Sequence, residues 1–502
     1  MIVFVNPRVT KARNSRFPLS LLHLAAALPE GCEWTLVDGN RADADPIAEV
    51  DALVGKGPEP VEMVAVTVMP GPQLPSAVHF SRAIKARHPD LPLVWGGYFP
   101  TLYPDPVLRA PYVDWVVRGQ GERTLVELLD ALRRERDPES IAGLSFRRGD
   151  SVHRGPERIW EGPDTFPPVP FDRIDVASYL QPTILGERTG VYHASIGCPH
   201  KCNFCGVIAA YGSRELAESP ARVERQLRLL SREYGMDGVH FYDNNFFLGE
   251  SRALELCERI TPLELAWWCE ARVDTMLRYG ANTWEKIRFS GLKMVFLGAE
   301  SGSNESLERK NKNLKVEEIE EIARKTREFG IVPEFSFCLG DPEDPGKDVE
   351  DALTLIRGLK GINPASEIIL YYYTPTPQRR PTPFDDALGA ASTPDTLEEW
   401  IEPKWINWMT HADPQVPWLT GELKSRVRNF ELVLRSRFAS KHNRGLGLWS
   451  ERLMRGAAWW RWWRGDFSDA VLLRALDRRA RSAGVDRREY GHLRPAWRGS
   501  GE

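Results

Sequence analysis

Three of the seven cysteines, Cys198, Cys202 and Cys205, share one short stretch with the spacing C-x-x-x-C-x-x-C. Thiolates packed this closely suit a soft metal centre. An iron–sulfur cluster is the usual occupant of a loop that offers thiolates alone. Three ligands on a four-iron cube leave one iron open to a substrate or cofactor. Structural zinc is the alternative, with His200 as a fourth ligand, although His200 lies between two cysteines rather than at finger spacing. A disulfide framework wants an even number of cysteines and an oxidising compartment. The preceding run, Val191-Tyr192-His193-Ala194-Ser195-Ile196, alternates as a strand does. The cysteines are therefore expected on a loop at the carboxyl end of a strand, where chemistry is usually carried.

With aromatic Phe204 just before the last cysteine, this motif resembles the signature of the radical S-adenosylmethionine (SAM) superfamily. The resemblance implies a 4Fe–4S cluster on Cys198, Cys202 and Cys205, with SAM chelating the open iron and Phe204 near the adenine. Reductive cleavage of SAM would then give a 5′-deoxyadenosyl radical that abstracts hydrogen.

The elements around the motif read as α/β. Strands are expected at Ile2–Val5, Trp34–Asp38, Met63–Val68, Leu91–Gly97 and Tyr112–Val117. Helices are expected at Pro18–Leu28, Pro75–His88 and Thr124–Arg133. Such alternation implies a doubly wound parallel sheet with its crevice outside the strand carboxyl ends. Thr67, Gly96, Gly97 and the run Gly119–Glu122 fall there. With Asn6-Pro7, Gly96-Gly97 and Arg118-Gly119-Gln120-Gly121-Glu122, the layout resembles the Rossmann-like cobalamin-binding domain fused to one branch of radical SAM enzymes. The resemblance implies cobalamin contacts at Thr67, Gly96, Gly97, Gly119, Gly121 and Glu122. No D-x-H-x-x-G run occurs in Arg8–Phe17, so cobalamin would be bound without an axial histidine. A cofactor-free Rossmann-like module is the alternative; no G-x-G-x-x-G follows the first strand.

We divide the chain into a cobalamin-binding domain (1–155), a proline-rich linker (156–189), a radical SAM partial barrel (190–388) and a helical, Trp/Arg-rich region (389–502). The barrel region reads as six strand–helix units, a partial (β/α)6 TIM-type barrel with its site at the strand carboxyl ends. Polar residues stand at those ends: Asp243, Asn244 and Asn245, then Glu270 and Arg272, then Glu300 and Ser301. The resemblance implies that they bind SAM, with Arg272 suited to its carboxylate because its donors form a rigid fork. Cys257, Cys269 and Cys338 lie in helix or strand patterns and read as buried thiols.

The whole chain has 502 residues, 27% charged and net charge −4, with a mean hydropathy of −0.38. That is the composition of a multi-domain globular protein. No apolar run is long enough to span a bilayer, and Met1–Pro7 reads as a strand rather than a signal peptide. A cytoplasmic location is expected. From Gly421 onward 19 Lys/Arg face 9 Asp/Glu, a local balance of +10 against about −14 elsewhere. The Trp- and Arg-rich segment from Trp449 to Arg464 either packs on the barrel and closes its cavity or lies on a membrane surface. The expected partners are a small-molecule or lipid-like substrate and a flavodoxin- or ferredoxin-type electron donor, with no nucleic acid.

The function expected from the resemblance is a cobalamin-dependent radical SAM methyltransferase acting on an unactivated carbon or phosphorus. One SAM would supply the radical and another would methylate cobalamin. Cyclisation, rearrangement or oxidation without methyl transfer is the second reading. A cofactor-binding regulatory or membrane-surface protein is the third.

Overall fold

A computed structural model describes residues 1–9, 16–57, 59–149, 151–376, 385, 393–438 and 448–482. Strands β1 (Ile2–Asn6), β2 (Trp34–Asp38), β3 (Met63–Thr67), β4 (Leu93–Gly96) and β5 (Trp115–Val117) lie parallel in the order β2-β1-β3-β4-β5. β1 and β3 are buried along their whole length because helices cover both faces of the sheet. Val3, Val64 and Trp95 pack on one side with Leu74 and Ile84; Phe4, Ala65 and Val94 pack on the other with Leu21 and Leu128.

Two features depart from the expected sheet. A further helix, Pro46–Lys56, lies between β2 and β3; Asp45 caps it by accepting from the Ile47 and Ala48 amides. The sheet is also not purely parallel. β6 (Leu144–Arg148) and β7 (Ser151–Arg154) extend it antiparallel beyond β5.

The proline-rich segment after β7 forms only short 3-10 turns, but it is packed rather than loose. Phe166, Val169, Phe171, Val176 and Tyr179 are buried. Phe171 and Tyr179 sit 5.2 and 5.5 Å from the Phe17 ring, and the Tyr179 hydroxyl donates to Asp38 at 2.9 Å. The segment is a strap fastened to the first sheet.

Next come β8 (Thr189–Tyr192), β9 (Ser195–Cys198), β10 (Arg214–Ala217), β11 (Gly238–Phe241), β12 (Ala266–Ala271), β13 (Leu292–Glu300), β14 (Val332–Leu339) and β15 (Glu367–Tyr372). Six of them form one parallel sheet, β8-β11-β12-β13-β14-β15, curled as an open barrel with its helices outside. The strand expected before the cysteines is in fact two. β8 stays in the barrel; the chain breaks at His193-Ala194, and β9 leaves to pair antiparallel with β10. The cause is local. Asp243 accepts from the Ala194 amide and the Ser195 hydroxyl, drawing the chain off the sheet edge. Gly197 has φ +80°, and a Cβ there would strike the Arg214 carbonyl.

The carboxyl-terminal part is helical. Trp400 packs against Phe99 and Tyr103 of the helical turn after β4, with ring centroids 5.4 and 4.6 Å apart, and against Trp405. The expected boundary at 388/389 and the tail Ala496–Glu502 lie outside the described residues. Among the described residues no helix is long and apolar enough to cross a membrane.

Candidate active site

β9 delivers Cys198. Cys202 and Cys205 follow on a loop that ends where the helix Gly206–Tyr211 begins. That loop is clamped by the segment after the helix Asn304–Arg309. The Asn203 amide donates to the Lys310 carbonyl at 2.9 Å and its side chain to the Arg309 carbonyl at 2.7 Å. Asn311 donates back to the Lys201 carbonyl at 2.6 Å. Burial pushes the Cys205 thiol up to about 12 and raises Cys198 too, and in both cases the neighbouring Cys202 adds to the rise. Lys312 opposes the rise at both, and Arg272, which donates to the Cys202 sulfur at 3.3 Å, opposes it at Cys198.

Among the described residues no three His, Cys, Asp or Glu side chains converge at single-ion distance. The donor chemistry fits a thiolate cluster: three coupled sulfurs on a pinned loop, with two cations to offset their charge.

The expected SAM residues divide into two groups. Asp243 holds the Ala194 amide (3.0 Å) and Ser195 hydroxyl (2.7 Å), and Asn244 holds the Gly197 amide (2.9 Å). Both fix β9. Asn245 accepts from the Arg272 amide at 3.3 Å, while its buried Nδ2 has no partner among the described residues. Such an orphan donor fits a site completed by a ligand. Arg272 is not a free fork: Nε pairs with Asp274 at 2.9 Å, Nη1 reaches Cys202 and Nη2 the Lys312 carbonyl. It holds the cluster loop. Ser301 is fully buried and donates to Asp348 at 2.7 Å, within the frame of the barrel.

Phe204, Glu300 and Lys312 do converge. Lys312 Nζ lies 3.1 Å from Glu300 Oε1 and 5.7 Å from the Phe204 ring centroid. Glu300 ends β13 at φ +66°, and Gly298 makes room, since a Cβ there would strike both partners of the ion pair. Lys310 and Lys312 belong to no sequence motif. Their only signal was alternation around Asn311, which reads as an ordinary charged turn.

Glu270 faces the barrel interior. Strand register puts it beside Phe296, and Phe296 beside Glu334, whose carboxylate accepts from Trp268 Nε1 at 3.1 Å. Arg16 reaches in from the first domain, 4.7 Å over the Tyr242 ring. Burial above all pushes Glu270 up to about 8 and both Glu334 and Asp243 up to about 7. Burial also lowers His193 to about 4 and His240 to about 3. A raised carboxyl stabilises the fold while protonated, and that contribution is lost as pH rises through its folded value. A depressed histidine acts oppositely, and its contribution is complete above about 6.5. Between pH about 6.5 and 8 the carboxyls alone of these groups titrate. The metal-free protein is expected to lose thermal stability across that window, and Glu270→Gln to flatten the loss. Melting curves at successive pH values check it; an unchanged slope in the variant refutes the assignment.

On the other sheet, Thr67, Gly96, Gly97 and Gly119 meet at the carboxyl ends of β3, β4 and β5. Gly97 has φ +99°, and a Cβ there would stand 3.1 Å from the Val68 carbonyl. Gly119 donates its amide to Thr101 Oγ1 at 3.0 Å and faces the Trp160 ring. Met69 remains 47% exposed at this mouth. Gln73, absent from the sequence reading, ties the mouth together: it donates to Asn6 Oδ1 at 2.9 Å and accepts from the Met69 amide at 2.7 Å. Gly121 and Glu122 are turned elsewhere. Gly121 packs under Leu24, and Glu122 folds onto the first amides of its own helix.

This mouth abuts the cluster loop. Gly206, the residue after Cys205, lacks the Cβ that would collide with the Tyr98 hydroxyl. Tyr98 and Trp160 bracket Tyr211 at 6.2 and 5.3 Å. These rings form one aromatic wall where the glycine-lined cleft meets the loop of Cys205.

The B12 binding domain family matches residues 6–129, and the Radical SAM superfamily matches residues 192–356. An uncharacterized methyltransferase of Pyrococcus horikoshii is 28% identical over 347 residues, covering 68% of this chain and 73% of its own length. The anaerobic magnesium-protoporphyrin IX monomethyl ester cyclase of Synechocystis is 27% identical over 296 residues, 58% of either chain. The structure of the radical SAM methyltransferase TsrM from Kitasatospora setae, with cobalamin and a [4Fe–4S] cluster bound, superimposes with TM-score 0.64 at 18% identity. It covers 97% of this chain and 99% of that one. The chain joins a B12-binding domain to a radical SAM domain, and it resembles the cobalamin-dependent radical SAM methylases and cyclases.

Proposed function

We propose that the protein is a cobalamin-dependent radical SAM methyltransferase acting on an unactivated carbon or phosphorus through a 5′-deoxyadenosyl radical. One observation carries the reading: the Tyr98–Gly206 contact sets the glycine-lined cleft of the first domain directly against the thiol loop of the second. When bound, the cluster supplies the electron that cleaves SAM, and cobalamin supplies methyl-carrying chemistry. Cys198, Cys202 and Cys205 would hold the cluster. Arg272 and Lys312 offset its charge, and Asp243 and Asn244 fix the strand that delivers Cys198. Phe204, Asn245 and Glu300 are the side chains left facing SAM. Thr67, Gly96, Gly97 and Gly119 would receive the corrin. The aromatic wall and the barrel lining exclude water from a radical.

The division into 1–155, 156–189, 190–388 and 389–502 follows this allocation of tasks. A small-molecule or lipid-like substrate and a flavodoxin- or ferredoxin-type donor complete it. A cytoplasmic location is supported by seven free cysteines and a cluster that needs reducing conditions.

The test needs no substrate. Reduced, anaerobically reconstituted protein is incubated with SAM labelled on its methyl group. Label retained with cobalamin, together with released S-adenosylhomocysteine, is the expected result. Deoxyadenosine without S-adenosylhomocysteine would move the reading to cyclisation or rearrangement, which the likeness to the magnesium-protoporphyrin cyclase keeps as the second candidate.

A further inference from the structure

The helix Leu448–Arg464 carries large apolar side chains on its outer side as well as its packed one. Met454 and Ala458 are buried, and Trp462 packs on Phe430 and Phe438 at 5.8 and 5.0 Å. That side already satisfies its packing against the helix Gly421–Arg437. The opposite side carries Leu453, Trp459, Trp460 and Trp463, which are 53%, 52%, 47% and 69% exposed. Trp459 and Trp463 stack one turn apart with parallel rings 6.5 Å between centroids, forming a flat outer ridge. Val471 and Leu472, at the start of the next helix, are 64% and 51% exposed. Three outward indoles on one helix are not the scatter of single apolar residues that a soluble surface tolerates. They do not close the barrel either, because they point away from the helices that cover it.

The charge around this ridge selects its partner. Arg452, Arg455 and Arg464 are exposed along the same helix, and the Arg464 guanidinium lies 5.1 Å over the Trp460 ring. In the sequence, the segment from Gly421 onward holds 19 Lys/Arg against 9 Asp/Glu in a chain that is otherwise acidic. Indoles mixed with guanidinium groups match the boundary of an anionic bilayer, where rings enter the headgroup layer and cations meet phosphates. The helix is anchored for this use: Arg357 of the barrel helix Pro345–Ile362 donates to the Trp462 carbonyl at 3.2 Å.

We propose that the face Leu453/Trp459/Trp460/Trp463 docks the protein on an anionic phospholipid surface. This surface lies on the outside of the barrel and does not depend on the chemistry assigned to the cluster.

The full chain is sedimented with phosphatidylglycerol vesicles and with phosphatidylcholine vesicles, and tryptophan emission is followed. Binding to the anionic vesicles with a blue shift, weakened by high salt and nearly absent on phosphatidylcholine, is the expected result. Trp459→Ser and Trp463→Ser should each weaken it on the order of tenfold. Far-UV circular dichroism of each variant, matched to wild type, separates lost docking from lost folding. Failure to bind phosphatidylglycerol overturns the proposal. So does sedimentation velocity showing a dimer that Trp463→Ser converts to a monomer, since the ridge would then be a contact between copies.

Discussion

Alanine at Cys198, Cys202 or Cys205 is expected to leave a folded, cobalamin-binding protein that takes up no cluster. The reason is the division of the molecule. The glycine-lined cleft belongs to a sheet with its own core. The cysteines instead sit on a loop pinned by Asn203 and Asn311, whose bonds to the Arg309 and Lys201 carbonyls involve no thiol. The variants should lose the iron–sulfur absorption band and the bound iron and sulfide. SAM cleavage should fall by at least ~10³, equivalent to about 4 kcal/mol of barrier. Cys202→Ala should also cost about 1 kcal/mol of stability, because Arg272 loses a buried acceptor. Iron analysis, cobalamin titration and deoxyadenosine release on the same preparations check all three. A variant that keeps its iron and its cleavage rate would remove the cluster from these residues.

Much of the architecture was legible because it rests on periodicity. Apolar runs such as Ile2–Val5 and Met63–Val68 specify strands covered on both faces, and six strand–helix units predict the open barrel. What escaped was decided by single polar side chains acting across the chain. Nothing near Ser195 says that Asp243 will pull the chain off the sheet and turn one strand into two. Nothing in Phe166–Tyr179 shows a packed strap, since prolines look the same in a loose linker. The candidate site divides similarly. The cysteines are visible through their spacing. Arg272 stands out in the sequence as a candidate for the SAM carboxylate, whereas its donors go to Cys202, Asp274 and the carbonyl of Lys312, which no local pattern reveals. Gly121 stood out as a glycine at a strand end, yet its missing Cβ serves Leu24. The Trp-rich helix was visible as a composition; only its burial pattern shows which indoles face outward.

Lys310→Met should be the most destabilising substitution in the barrel. The side chain is fully buried. Its ammonium donates to the Glu300 and Cys338 carbonyls at 3.1 and 2.8 Å and pairs with Asp348 at 3.4 Å. Asp348 also accepts from Ser301, Ser306 and the Gly340 and Asp341 amides. Burial works to raise that carboxyl, but Lys310 and these donors hold it below its ordinary value. Removing the ammonium strands a buried carboxylate, which typically costs about 3–5 kcal/mol. Urea denaturation at neutral pH measures it, and the exposed Lys347→Met should leave stability almost unchanged. Because a depressed carboxyl stabilises only while ionised, the wild-type contribution fades as pH falls through the folded value, and the gap between wild type and variant should narrow in acid. Adding Asp348→Asn to Lys310→Met should recover part of the loss, since the stranded charge is gone. The same lysine's carbonyl accepts from the Asn203 amide at 2.9 Å, between Cys202 and Cys205. The single variant should therefore also reconstitute with less iron, whereas Lys347→Met should not. Equal iron content in the two would separate the buried ion pair from the shape of the cluster loop.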